Sequence, residues 1–96
     1  MVRDNIMPAL KTLKPELATR FGVQSLGLFG SATREDFKDE TSDIDIIVEF
    51  SKPVGVEFID LANYLETVFN RKVDLVSRKG IKQRYFQEIQ NEILYV

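Results

Sequence analysis

The stretch Asp43 to Phe50, DIDIIVEF, constrains this chain more than any other, because it alternates like a strand and yet carries two carboxylates at its head. Successive side chains of a strand point to opposite faces. Extended, the segment puts Asp43, Asp45, Ile47 and Glu49 on one face and Ile44, Ile46, Val48 and Phe50 on the other. Asp is disfavoured in strands, and an unpaired carboxylate beside a core is costly. The pair therefore calls for a cation or for strong donors, with a divalent metal the natural guess. Before it, Val23 to Phe29 reads as a short apolar strand that closes on Gly30-Ser31, and a polar, charge-rich loop joins the two.

Composition narrows the chemistry. With 96 residues, 44% of them hydrophobic, the expectation is a single domain over residues 1–96 with a modest core. There is no Cys and no His. Disulfides and thiolate metal sites are excluded, and any general base or metal ligand is expected to be a carboxylate. No apolar run approaches the roughly 20 residues of a membrane span, and the start, MVRDNIMP, has no signal-peptide core. A cytoplasmic protein is the default expectation. The net charge of -2 gives no sign of a nucleic-acid binder, but its distribution is uneven. Residues 35–49 hold seven acids and residues 71–84 six bases, Arg71, Lys72, Arg78, Lys79, Lys82 and Arg84. These runs read equally as two solvated faces or as a metal-facing acidic side with bases able to meet a triphosphate or an acidic partner.

Along the chain, Ile6, Leu10, Leu13, Leu17 and Phe21 recur at helical steps, so residues 5–21 read as helix. Asp4 or Asn5 suits its cap, and Pro8 falls in the first turn. Pro15 lies deeper, which predicts a kink or break near Lys14 and a second piece ended by Gly22. Residues 56–70 form an amphipathic helix whose stripe is Phe58, Leu61, Ala62, Leu65, Val68 and Phe69. Val73 to Val76 is a short strand with Asp74 inside it. Read alone, Asp74 fits an edge-strand acid facing water or paired with Arg71 or Lys72; beside Asp43 and Asp45 it fits a third ligand. Tyr85, Ile89 and Ile93, four apart, predict a helix over 81–93, with Leu94-Tyr95-Val96 as an apolar tail. This order gives an α+β (α/β-like) domain, a small mixed sheet backed by helices on one face and left partly open on the other. Gly30-Ser31 between a strand and a helix-capable segment suits an anion site, since free N–H groups at a helix start would point at a phosphate. By itself the dipeptide is more often only a turn, and what favours the anion site is the Asp-x-Asp that follows. Neither G-x-x-x-x-G-K-[ST] nor G-x-G-x-x-G occurs, so neither of those phosphate loops is available.

Gly30-Ser31 followed by Asp43-Ile44-Asp45 resembles the Gly-Ser…Asp-x-Asp signature of the polymerase-beta-like nucleotidyltransferase superfamily, and within it the minimal nucleotidyltransferase proteins. The resemblance covers nearly the whole chain: LFGSATR is similar to the family's Leu-Phe-Gly-Ser segment, and VDLV around Asp74 to the strand with its third carboxylate. Two departures fall in the loop. Eleven residues separate Ser31 from Asp43, one more than the commonest spacing, and Glu35-Asp36 stands where a Gly usually follows Arg34. The resemblance implies the nucleotidyltransferase fold. It further implies that Asp43, Asp45 and Asp74 are the catalytic carboxylates and hold two Mg²⁺ (or Mn²⁺) ions, while Gly30, Ser31 and Arg34 bind the nucleotide. Hard oxygen ligands suit these ions, and paired metals serve in-line displacement at phosphorus.

The implied reaction is transfer of AMP from ATP to a hydroxyl. Minimal proteins of this kind resemble the antitoxin half of a toxin–antitoxin pair, and the implied partner is a HEPN-domain ribonuclease inactivated by AMP on a tyrosine. Two other readings stand beside it: an antitoxin that neutralises its partner by occlusion with an idle metal site, and a nucleotidyltransferase acting on a small molecule or an RNA end. The acidic balance argues against RNA, because phosphate contacts supply most non-specific nucleic-acid affinity.

Overall fold

The strand built around Asp45 is the second of a four-stranded mixed sheet. The computed structural model describes residues 2–33 and 42–96, and the elements run α1 (Val2–Phe21), β1 (Val23–Phe29), a 3₁₀ turn (Gly30–Thr33), β2 (Ile44–Phe50), α2 (Val56–Phe69), β3 (Val73–Ser77), α3 (Gln83–Ile89) and β4 (Leu94–Tyr95). The sheet order is β3-β2-β1-β4. β1 pairs antiparallel with β2 and with β4, and β2 runs parallel to β3.

The alternation of β2 decides which helices cover which face. Ile44, Ile46 and Val48 are buried in the main core with Ile6, Leu10 and Leu17 of α1 and Leu61 and Leu65 of α2. Ile47, on the opposite face, joins Phe29, Ile89 and Ile93 in a second, smaller cluster. The second face is thus partly covered by α3 and the turn after it, and the carboxylates lie at its end. Gly27 makes this packing possible: a Cβ there would lie 2.6 Å from Ile93 Cγ2, so only a bare backbone lets the C-terminal segment cross β1 so closely.

Four local expectations change. α1 starts at Val2, so Asp4 and Asn5 lie within it rather than capping it and Pro8 falls beyond its first turn, and it runs unbroken through Pro8 and Pro15. Pro15 removes the hydrogen bond to the Lys11 carbonyl, but Lys11 is exposed, so water can satisfy that group while Leu10 and Leu17 hold both halves against the core. Of the α2 stripe, Val68 is 40% exposed and so stands largely outside the core. The C-terminal helix ends at Ile89 rather than Ile93; Glu92 N–H donates to the Ile89 carbonyl in the following turn, and Leu94-Tyr95 adds an edge strand against Gly27 and Leu28. Lys14 Nζ donates to the Val96 carbonyl at 2.6 Å and ties this strand to α1. Among the described residues no helix is long and apolar enough to cross a membrane.

Candidate active site

Antiparallel pairing sets Phe29 opposite Asp45, so the residues leaving β1 arrive at the head of β2. Gly30 takes φ +71, and a Cβ there would strike the Asp45 carboxylate, with Asp45 Cγ at 2.9 Å. Only glycine combines that backbone with that approach. The backbone N–H of Ser31 donates to the Asp45 carboxylate. Gly30 N–H donates to Glu92 Oε1 at 3.0 Å, and Thr33 Oγ1 donates to the Gly30 carbonyl at 2.7 Å, closing the turn. The two amides expected to be free for a phosphate therefore already face carboxylates. A phosphate at this turn has to meet the Ser31 hydroxyl or amides further along.

Parallel pairing of β3 with β2 places Asp74 directly beside Asp45. Glu66 Oε2, on α2, accepts the Val73 N–H at 3.1 Å and fixes the entry to that strand. Asp45 is half-buried, and burial, reinforced by the charges of Asp74 and Asp43 and by a hydrogen bond with Asp74, pushes its carboxyl from 3.8 up to about 6. A hydrogen bond between two carboxyls needs a shared proton, which is how a crowded acidic pair is relieved where no cation lies between them. Asp43 precedes β2 and lies 4.0 Å from Lys72 Nζ, while Arg71 Nη1 donates to the Ser42 carbonyl at 3.2 Å. Among the described residues no three acids form a ready-made metal cluster. The structure joins Asp45 to Asp74 and leaves Asp43 at the rim, engaged by Lys72. Asp74 is the edge-strand acid of the alternative reading, yet it lies next to Asp45 on the sheet.

Two residues at the site were not read from sequence as belonging to it. Glu92 reaches the Gly-Ser turn from 62 positions away. Tyr85 sets its ring edge-on to Phe29 at 6.4 Å, and burial together with the carboxylates of Asp45, Asp74, Glu92 and Glu88 pushes its hydroxyl upward. Arg34 and the loop to Thr41 lie outside the described residues. The basic run is divided: Arg71 and Lys72 flank the carboxylates, but Arg78 and Lys79 lie at the far end of β3 with Lys52, lining an open groove of about 730 Å³ that contains none of the three aspartates.

The sequence profile of the nucleotidyltransferase domain matches residues 10–96. The chain belongs to that family. Protein adenylyltransferase MntA of Thermococcus cleftensis is 38% identical over 94 residues, covering 97% of this chain and 94% of that protein. Among solved structures, a minimal nucleotidyltransferase superposes with a TM-score of 0.81 at 25% identity, covering 98% of this chain and 95% of that one. The fold also matches the complex of an MNT antitoxin with the tri-AMPylated HEPN toxin of Shewanella oneidensis, at a TM-score of 0.68 and 23% identity over 99% of this chain and 71% of that chain. The family supplies a fold and a nucleotidyl-transfer chemistry that suit paired carboxylates beside a Gly-Ser turn.

Proposed function

We propose that this chain is a metal-dependent protein adenylyltransferase that moves AMP from ATP to a tyrosine hydroxyl of a HEPN-domain toxin, and thereby serves as its antitoxin. The observation that carries this reading is the register pair Asp45–Asp74 at the end of the turn Gly30-Ser31. A half-buried carboxyl pushed up by burial and by the charges of Asp74 and Asp43 is a site that a hard cation relieves. The relatives support the acceptor: one is named a protein adenylyltransferase, and one matching fold is that of an antitoxin bound to an AMPylated toxin.

Asp43, Asp45 and Asp74 would hold Mg²⁺. Bound there, Mg²⁺ would supply charge neutralisation on the triphosphate and on the departing pyrophosphate. The chain's own residues do the rest. The Gly30-Ser31 turn sets the Ser31 backbone N–H on Asp45, and the Ser31 hydroxyl would hold a phosphate oxygen. Asp74, exposed at the sheet edge, is the carboxylate open to an incoming protein and takes the tyrosine proton. The tyrosine oxygen bonds to the α-phosphorus as the bond from that phosphorus to the β-bridging oxygen breaks, and pyrophosphate leaves.

The test uses purified chain, Mg²⁺ and a HEPN-domain protein with ATP labelled at the α- or the γ-phosphate. Label entering the partner from the α-position alone, and lost with EDTA, is the expected result. Label from the γ-position, or none from either, overturns the reading. One second reading has an observation in its favour: Asp43 is engaged by Lys72 and no three-acid cluster is preformed among the described residues, as in an antitoxin that acts by binding alone. In that case the partner is neutralised without gaining AMP.

A further inference from the structure

Gly30 is held from two sides by acids of opposite origin. Asp45, from β2, fills the space where a side chain would stand, and Glu92, from the turn after α3, accepts the Gly30 N–H at 3.0 Å. Glu92 is itself well anchored: its own N–H donates to the Ile89 carbonyl at 2.9 Å, and its neighbours in the second cluster, Ile89 and Ile93, are 6% and 9% exposed. Gly30 has no side chain to pin it, so its left-handed backbone persists only while its surroundings impose it. If φ at Gly30 left its left-handed value, the Gly30–Ser31 peptide would swing with it, and the Ser31 N–H would leave Asp45. From this geometry we infer that Glu92 is a positioning residue for nucleotide transfer, holding the Gly30 amide so that Ser31 stays aligned with Asp45. The C-terminal segment is then part of the active-site scaffold as well as an edge of the sheet. This role rests on the transferase reading above.

The chemistry distinguishes three substitutions. Glu92→Gln keeps an acceptor oxygen at the same reach and drops the charge. Glu92→Ala removes the acceptor. Glu92→Asp keeps the charge but shortens the reach by one methylene, and it serves in place of the alanine variant if that one fails to fold. Two readouts are taken on each variant and on the wild type. The first is the Gly30 amide ¹H–¹⁵N resonance and its hydrogen exchange in the metal-free protein. The second is the kcat and KM for ATP in transfer to the partner protein. The expected result is a shifted Gly30 amide that exchanges at least tenfold faster in Glu92→Ala and Glu92→Asp, with kcat down at least tenfold, while Glu92→Gln stays within about threefold of the wild type in both. An unmoved Gly30 amide in Glu92→Ala, or a moved amide with unchanged kcat and KM, overturns the assignment. Tighter ATP binding in both Glu92→Ala and Glu92→Gln also overturns it, because it would make Glu92 a competitor of the phosphates. If the wild type itself transfers nothing, the transferase reading fails separately, and Gly30 exchange together with titration by Mg²⁺ and a non-hydrolysable ATP analogue still decides the role of Glu92: at least tenfold weaker binding in the alanine variant alone supports it, and equal binding overturns it.

Discussion

Replacing Asp45 by Asn should make the metal-free protein more stable at neutral pH, although it abolishes transfer. Asn keeps the shape and an oxygen for the Ser31 N–H but cannot ionise. The rise of the Asp45 carboxyl from 3.8 to about 6 corresponds to about 3 kcal/mol of disfavoured charge in the folded state. Asp45 is only half-buried, and solvent screening reduces this to roughly 1–1.5 kcal/mol. For a domain of this size each kcal/mol moves the midpoint by roughly 4–8 °C, so a gain of about 4–12 °C is expected at pH 7.5. The sign follows from linkage. A folded value above the unfolded one means that the wild type is favoured at low pH and loses this stability as pH rises from about 4 through about 6. The variant does not titrate there, so the two curves converge near pH 4, diverge between pH 4 and about pH 6, and keep a constant separation above that. Thermal unfolding in EDTA across pH 4–8 reads this directly. A variant that is less stable at pH 7.5, or an advantage independent of pH, would show that the Asp45 charge is not disfavoured in the fold.

Other perturbations test neighbouring parts of the site and core. Mg²⁺ with ATP, each at about a hundred times its dissociation constant, should raise the midpoint by about 10–20 °C in the wild type, from roughly 2.7 kcal/mol of linkage; a midpoint unmoved by saturating ligand counts against the site. Gly30→Ala should cost roughly 1–3 kcal/mol and remove activity, since its Cβ meets the Asp45 carboxylate at a left-handed φ; an unchanged midpoint in denaturant titration would contradict the close approach of this turn to Asp45. Leu65→Ala, at a fully buried α2 position, should cost about 2–5 kcal/mol by leaving a cavity under the sheet, as read by chemical unfolding, while nucleotide affinity of the folded fraction stays unchanged.

Local pattern carried much of the fold. The alternation of Ile44, Ile46 and Val48 against Asp45 and Ile47 divides the core into the two clusters seen, and the Leu61–Leu65 step marks the buried line of α2. Pro15 misled because propensity weighs the missing N–H and not the packing of Leu10 and Leu17 on either side. The period of Tyr85, Ile89 and Ile93 was genuine, but it extended past a turn that keeps Ile93 buried after the helix has ended. At the site, Asp45 beside Asp74 could be anticipated only as a cluster; its register belongs to strand pairing that no single segment encodes. Glu92 carried no signal at all. An acid between two buried isoleucines looks like an ordinary exposed position, and its partner is a backbone N–H 62 positions away.

Adenylyl transfer by these carboxylates is tested most simply by the intact mass of a HEPN-domain toxin co-expressed with this chain or with its Asp43→Asn/Asp45→Asn form. A gain of one or more AMP units is expected with the wild type only, with the complex formed in both cases. A toxin neutralised equally by both forms and unchanged in mass would contradict transfer, and would make the carboxylates of this sheet irrelevant to the neutralisation.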